Sequence, residues 1–388
     1  MHRRIRAEID LDALRCNFEV AQRLAGERVV WPVIKADAYG HGMVRVAGAL
    51  DQARGFCVAD LEEALALRAA GIRVPVLVLQ GVGDGAALQA ALDAGISLAV
   101  HEPGQVEHVE AHAEAFSSSA TTLWLKVDSG MHRLGIDPEQ VPSLLERLRR
   151  IVGPDRVALM THFACADEPE HPLNATQQSR FAALAPAATV ASACNSAALI
   201  TGVYSADSVV RPGIMLYGAT PIGARSAADL DLVPVMTLRS CIIAVQTVPI
   251  GDSVGYGASW VARRQTRIGI VAAGYGDGYP RHAPSGTAVR VGMHTVPTVG
   301  RVSMDSLAVD LTDAPEAGVG SSAVLWGQDP SVDDVAAAAG TIGYEVLTRI
   351  PPRVPRIALD RRQRAQAGHR AEGVGNAHRA DAAGSVDQ

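Results

Sequence analysis

Lys35 stands directly after the apolar run Val29–Ile34, and a lysine held beside apolar surface is a nucleophile for carbonyl compounds. Further along the chain, other polar residues close apolar runs in the same way. Lys126 and Asp128 end Thr122–Val127, His162 ends Arg156–Thr161, Asn195 and Ser196 follow Ala188–Ser192, and Arg211 with Gly213 follows Asp207–Val210. Taken singly, each has an ordinary explanation: a lysine after a strand is usually solvated, and a histidine at a strand end is usually structural. Their recurrence at successive run ends argues for one shared mouth. Cys194-Asn-Ser-Ala-Ala198 and Arg211-Pro-Gly-Ile214 are rich in small residues, and Ser196 offers a hydroxyl where a helix would begin. Small residues let a backbone approach a phosphate closely, and a helix N-terminus favours it. A phosphate-bearing ligand together with a lysine points to pyridoxal 5′-phosphate (PLP) held as a Schiff base.

The elements that must position these groups alternate. Eight short apolar runs, the five above plus Gly55–Ala59, Val74–Leu79 and Ile96–Val100, are separated by helical patterns. Such alternation predicts βαβ units and a parallel sheet, and eight of them predict a (β/α)8 barrel with its chemistry at the C-terminal ends of the strands. Asp60-Leu-Glu-Glu63 reads as a capping box opening a helix over Leu61–Ala70, with Gly71 as its left-handed stop, and Pro142–Arg150 places Leu144, Leu145 and Leu148 on one helical face. The pattern changes near Leu232. Runs from Met236 to Trp326 follow one another without helices and predict a mainly antiparallel β domain, with one late helix over Val332–Ala339. The expected division is a barrel over 1–232, whose first ten or so residues are candidate partners for the β domain, a β domain over 233–362, and a disordered tail over 363–388.

Composition narrows the function classes. A formal net charge of -6 without a basic block argues against nucleic acid as the main partner. No apolar run is long enough to span a bilayer, and the basic start lacks the apolar stretch of a signal peptide. Five dispersed cysteines with no C-x-x-C pair argue against a disulfide framework or a zinc site and fit a reducing cytoplasm. Walker, zincin and dinucleotide-binding motifs are missing, and the spacing of His162, Asp167, Glu168 and His171 matches no metal-ligand pattern.

The chain resembles the alanine racemase family along nearly its whole length. The resemblance is carried by Val33-Ile-Lys-Ala-Asp-Ala-Tyr-Gly-His-Gly42, Leu125-Lys-Val-Asp-Ser-Gly-Met-His-Arg-Leu-Gly135 and Val210-Arg-Pro-Gly-Ile-Met-Leu-Tyr-Gly218. Val254-Gly-Tyr-Gly257, Gly274-Tyr-Gly-Asp-Gly278, Gly300-Arg-Val-Ser-Met-Asp305 and Arg353-Val-Pro-Arg356 follow in the family's order. The resemblance implies a PLP-dependent barrel with a β domain, a head-to-tail homodimer with shared active sites, and conversion of L-alanine to D-alanine, a cell-wall precursor. It implies Lys35 as the Schiff-base lysine and one base, and Tyr256 from the partner subunit as the opposite base. It places Tyr39, Ser196, Gly213, Ile214 and Tyr344 at the phosphate, Arg211 at the pyridine nitrogen and His162 behind it. Arg133 would contact the cofactor's phenolic oxygen and the substrate carboxylate, Met304 would offer its N–H to that carboxylate, and Tyr275 would narrow the entrance. Lys126 matches a lysine that is often carbamylated. Ser129, Cys194, Gly255 and Ser303 depart from the residues common at their positions, and none of these changes removes a chemical group from the mechanism.

The residue types suit racemization. A proton must leave one face of a carbon and another must arrive at the opposite face, which calls for two bases. A lysine can serve one side, and a tyrosine the other if nearby cations lower its pKa from ~10. An arginine at the pyridine nitrogen cannot take up that nitrogen's proton, since its own pKa exceeds ~12, so it weakens the electron sink and disfavours transamination. Arg211 therefore speaks against a PLP barrel decarboxylase, and the β domain with Tyr256 against a non-catalytic PLP carrier. A racemase of serine or another small amino acid stays open, because one added group changes discrimination only ~10- to 200-fold.

Overall fold

The computed structural model describes residues 4–360. The tail expected over 363–388 lies outside the described residues. Strand β1 (Arg6–Asp10) and a 15-residue helix over Leu11–Ala25 come first. The eight apolar runs then appear as β2 (Val29–Val30), β3 (Phe56–Val58), β4 (Val76–Val78), β5 (Ser97–Val100), β6 (Leu123–Lys126), β7 (Val157–Met160), β8 (Ala191–Ser192) and β9 (Val209–Val210).

β3 to β8 form one parallel sheet in chain order, and β2 pairs with β9 in parallel. Two seams close the ring. Ile34 N–H donates to Cys57 O and Cys57 N–H to Pro32 O, each at 2.9 Å, joining β2 to β3. Ser208 N–H donates to Ala191 O and Arg211 N–H to Cys194 O, also at 2.9 Å, joining β8 to β9. The chain thus builds the expected (β/α)8 barrel. Strands covered on both faces must be apolar throughout, and β4, β5, β6 and β7 are buried at every residue.

The later strands are β10 (Met236–Val248), β11 (Ser253–Val254), β12 (Trp260–Val261), β13 (Thr266–Val271), β14 (Ala288–Val291), β15 (His294–Val299), β16 (Leu307–Asp310), β17 (Ser322–Trp326) and β18 (Arg356–Leu359). Their main sheet runs β13-β16-β15-β14-β17-β10, and β13 also pairs with β10, so this antiparallel sheet closes on itself. β1 adds to β10 antiparallel and carries β18 in parallel on its other edge. The strand that precedes the barrel is therefore stitched into the β domain, with the late strand β18 on its outer edge.

Two local expectations need correction. The second domain has two late helices, Val332–Ala338 and Gly343–Thr348. The second is only six residues long, too short for a periodic apolar stripe to announce it. The capping box is half formed: Asp60 Oδ1 accepts the Glu63 N–H at 3.0 Å, but the Glu63 carboxylate reaches Ala59 N–H at 2.8 Å and Ala36 N–H at 2.6 Å instead of closing the box.

Asn17, fully buried in the first helix, holds the crossing between the two halves of the chain. Its amide donates to Leu216 O at 3.1 Å and Val233 O at 2.8 Å, and its oxygen accepts Val233 N–H at 2.8 Å. Removing it strands three backbone groups. Asn17→Ala should lower unfolding free energy by roughly 2–4 kcal/mol in urea titration. A loss under about 1 kcal/mol would show that those groups find other partners.

Candidate active site

The mouth of the barrel holds a cavity of about 610 Å³. Eleven of the residues singled out from the sequence line it: Lys35, Tyr39, Lys126, Arg133, His162, Asn195, Ser196, Arg211, Gly213, Ile214 and Tyr344. They come from the ends of β2, β6, β7, β8 and β9, with Tyr344 supplied by the helix Gly343–Thr348.

Lys35 opens an unusual turn. Ala36, Asp37, Ala38 and Tyr39 all have φ between 52° and 54°, so one turn of left-handed helix follows the lysine. Side chains disfavour this conformation, and it survives only where its surroundings hold it. Glu63 accepts the Ala36 N–H, Asp37 Oδ1 accepts the Met43 N–H at 2.8 Å, and Gly40 N–H donates to Ala36 O at 3.0 Å. His41 is fully buried and bonds Ala38 O and Tyr39 O through Nδ1, each at 2.9 Å. Its ring stacks on Tyr217, which stacks in turn on Tyr39 with centroids 4.7 Å apart. The Tyr217 hydroxyl donates to Val33 O at 3.0 Å, just ahead of Lys35.

A second group of residues forms a cradle of hydroxyl and backbone groups. Ser196 is the first residue of a helix capped by Asn195, whose Oδ1 accepts Ala198 N–H at 2.9 Å. Ser196 Oγ accepts Gly213 N–H at 2.7 Å. A side chain at Gly213 would begin 2.4 Å from the Tyr39 hydroxyl, so only glycine lets that hydroxyl and the Gly213 backbone share the space. Tyr344 completes the group, its ring 6.0 Å from that of Tyr39.

The third feature is concentrated positive charge. Arg211, 3% exposed, donates to Thr161 O at 2.7 Å and to Ser192 Oγ, both neutral acceptors. Burial lowers the Lys35 pKa and Arg133 lowers it further. Burial, then Arg211, Arg133 and Lys35, bring Lys126 down to about 8. Burial and the same cations hold the His162 imidazole well below its ordinary value, so it stays neutral. Neutral His162 is tied to the cradle through Asn195, at 3.3 Å from Nε2.

Three sequence-predicted residues stand apart from the cavity. Tyr256, Met304 and Tyr275 lie on turns of the β domain and are 69%, 54% and 39% exposed. The turns that carry Tyr275 and Met304 are joined to each other: Tyr275 N–H donates to Ser303 O at 3.0 Å and Gly276 N–H to Met304 O at 2.8 Å.

The contacts of three residues near the site escape a reading of sequence alone. Glu63 presents the local signal of a helix cap while serving the turn after Lys35. Asn195 stands visibly at a strand end, yet its bond to His162 depends on the fold. Gln177, fully buried, donates to His162 O at 2.9 Å and Ser129 Oγ at 3.1 Å from a helix with no local signal for that contact.

Comparison with known proteins fits this geometry. Residues 9–221 match the family model described as alanine racemase, N-terminal domain, and residues 235–358 match alanine racemase, C-terminal domain. The chain is 47% identical over 352 residues to an alanine racemase of Stutzerimonas stutzeri, covering 90% of this chain and 98% of that one. The crystal structure of biosynthetic alanine racemase from Pseudomonas aeruginosa superposes with a TM-score of 0.86 at 45% identity, over 92% of this chain and 100% of that chain. Alanine racemase from Bartonella henselae, solved with covalently bound pyridoxal phosphate, superposes with a TM-score of 0.83 at 28% identity, over 92% and 99% of the two chains. With both domain models matched in order, and relatives aligned over nine-tenths of its length, the chain belongs to the alanine racemase family.

Proposed function

We propose that this alanine-racemizing chain binds PLP at the barrel mouth and moves protons between Lys35 on one face of the substrate's α-carbon and Tyr256 of a second copy on the other. The observation that carries this reading is the cavity itself, in which a lysine of lowered pKa, a hydroxyl-and-amide cradle and a buried arginine come together. Those residues fit the cofactor: Lys35 as its covalent anchor, Tyr39, Ser196, Gly213, Ile214 and Tyr344 at its phosphate, and Arg211 at its ring nitrogen with His162 behind. When bound, PLP supplies an electron-withdrawing ring that acidifies the α-hydrogen of the attached amino acid.

The chain's own groups do the rest. Burial and Arg133 lower the Lys35 pKa, which favours the neutral amine that takes or returns a proton. Arg133 orients the substrate carboxylate, and the backbone N–H of Met304 from the second copy meets the same group. Tyr275 from that copy narrows the entrance. Arg211 bonds only neutral acceptors on its protein side, so its charge is left to act inside the cavity. Tyr256 is exposed and outside the cavity that holds Lys35, which supports a head-to-tail homodimer.

We further propose that Lys126 carries a carbamate. At a pKa of about 8, roughly a quarter of it is neutral at pH 7.5, against about one part in a thousand for a free lysine. The ammonium gives up one proton, and carbon dioxide adds to the neutral amine with loss of a second, which turns a cation among Lys35, Arg133 and Arg211 into an anion and relieves their mutual repulsion.

Three measurements test these readings. Purified protein given L-alanine or L-serine in separate reactions should generate the D-enantiomer with a clear preference for alanine, and borohydride should lock the cofactor onto the peptide containing Lys35. Unchanged chirality, or a label on another lysine, would overturn the assignment. Lys35→Ala and Tyr256→Phe chains, each inactive alone, should recover about a quarter of wild-type activity when mixed, since half the dimers form with one competent site in two. No recovery from dimers shown to be mixed would defeat the shared site. Carbon-13 bicarbonate should give a carbamate resonance that strengthens as pH rises toward 8 and is missing in Lys126→Ala. A resonance that persists in the variant would place the carbamate elsewhere.

A further inference from the structure

The Arg353-Val-Pro-Arg356 motif has no part in the chemistry above, yet its two guanidinium groups reach two different parts of the machinery. Arg356 is wrapped by its own segment, donating to Ile350 O at 2.7 Å, Pro351 O at 3.1 Å and Val354 O at 3.2 Å. Its Nε is thereby aimed away from that segment, and it donates to Gly40 O at 2.9 Å. Gly40 follows Tyr39 and ends the left-handed turn of Lys35. It is pinned from the other side as well, since a side chain there would begin 2.4 Å from Leu347 O in the helix that carries Tyr344.

Arg353 points to the other loops. Its NH2 group donates to Asp277 Oδ1 at 2.9 Å and Asp305 Oδ1 at 2.8 Å. Asp277 closes the turn that begins with Tyr275, and Asp305 follows Met304. Gly276, between Tyr275 and Asp277, leaves room for the guanidinium: a side chain there would begin 2.6 Å from Arg353 NH2. Asp277 is nearly buried, and its other oxygen accepts Gly274 N–H at 3.2 Å, so the ion pair is built into the turn.

The two arms are joined by a stiff strap. Pro351, Pro352 and Pro355 lock three φ angles in the seven residues 350–356. Pro355 O accepts Ala7 N–H at 2.9 Å, and Ile350 packs against Gly278 at the end of the Tyr275 turn. Neither guanidinium touches the cavity, so both act through other residues.

We infer that Arg353 and Arg356 are positioning residues on one rigid strap, Arg356 holding the Lys35–Tyr39 turn for cofactor binding and Arg353 holding the Tyr275 and Met304 loops for substrate binding. This rests on the functional reading above. In a head-to-tail dimer the turn serves one site and the loops serve the other, so the strap links the two sites of the dimer.

The arms separate experimentally. Arg353→Gln should raise KM for alanine about tenfold with kcat within about threefold, and should retain PLP on dialysis like wild type. Asp305→Asn should raise KM in the same direction; it keeps Asp277 in place and is the variant to read if Arg353→Gln does not fold. Arg356→Gln should release PLP about tenfold faster and leave KM at saturating cofactor near wild type. In mixed dimers with one competent site, Arg353→Gln should raise KM only when carried by the Lys35→Ala chain, which supplies Tyr256. Equal losses of cofactor retention and KM in both arginine variants, no change in either, or a KM effect from the Tyr256→Phe chain would overturn the strap. A wild-type protein that fails to racemize alanine would instead overturn the functional reading on which it rests.

Discussion

The left-handed turn after Lys35 is the constraint around which the site is arranged. Four consecutive residues with side chains hold φ near +53°, at a cost of roughly 1–2 kcal/mol each. A turn strained by several kcal/mol would relax if it were held only by its own hydrogen bonds. It is held from four directions: Glu63 from the next barrel unit, the His41–Tyr217–Tyr39 stack from below, Arg356 from the strap, and the Tyr344 helix against Gly40. Each partner lies in a different part of the chain, so the lysine is placed only when barrel and β domain are assembled together. That is a physical reason for the first and last strands of the described residues, β1 and β18, to be stitched into one sheet.

Electrostatics follow from that placement. Lys35, Lys126, Arg133 and Arg211 crowd one cavity, and burial leaves their repulsion poorly screened. A cluster of this kind is expensive without anions, and the proposed ligands, a phosphate and a carboxylate, are both anionic. Burial, with that repulsion added, lowers the lysine pKa values and keeps His162 neutral. Binding affinity and base strength thus share one contributor, the crowded cations. A substitution that relaxes one cation will move both, which is why single-residue effects here will not add.

Much of this architecture is legible in the sequence, and the reason is range. The eight barrel runs are short, apolar throughout and bounded by helical patterns, so their type is written locally. Tyr344 apart, the cavity residues singled out from the sequence follow the ends of those runs, and the barrel topology alone brings them together. What is illegible is long-range or ambiguous. Glu63 carries the local signal of a helix cap, and its bond to Ala36 spans 27 residues. Arg356 reaches Gly40 across 316 residues, which no window can register. The Gly343–Thr348 helix is too short to show a period, although its Tyr344 is visible through the family resemblance. Tyr256, Met304 and Tyr275 are legible only through that resemblance, because a single chain leaves them outside the cavity.

That last group shows why two kinds of scaffold are combined. A group that must be immobile, the lysine, sits on a strand end with a strained turn behind it. Groups that must approach the substrate from the open side cannot grow from the barrel floor, because the floor is filled by the strands' own side chains. They need a surface turn, and the Tyr256 turn is built for exposure: Gly255 and Gly257 take φ of 79° and 72°, which carry the tyrosine outward. Glycine turns are mobile, so such a turn becomes precise only when something braces it. For Tyr275 and Met304 the brace is Arg353, inside the same chain. For Tyr256 the Arg301 guanidinium lies against Gly257 of the turn, the phenol itself stays exposed, and docking against a second copy would supply the phenol's brace. Association would then do more than complete the list of catalytic groups: it would convert a loose phenol into an oriented one, and activity should depend on dimerization more steeply than cofactor binding does.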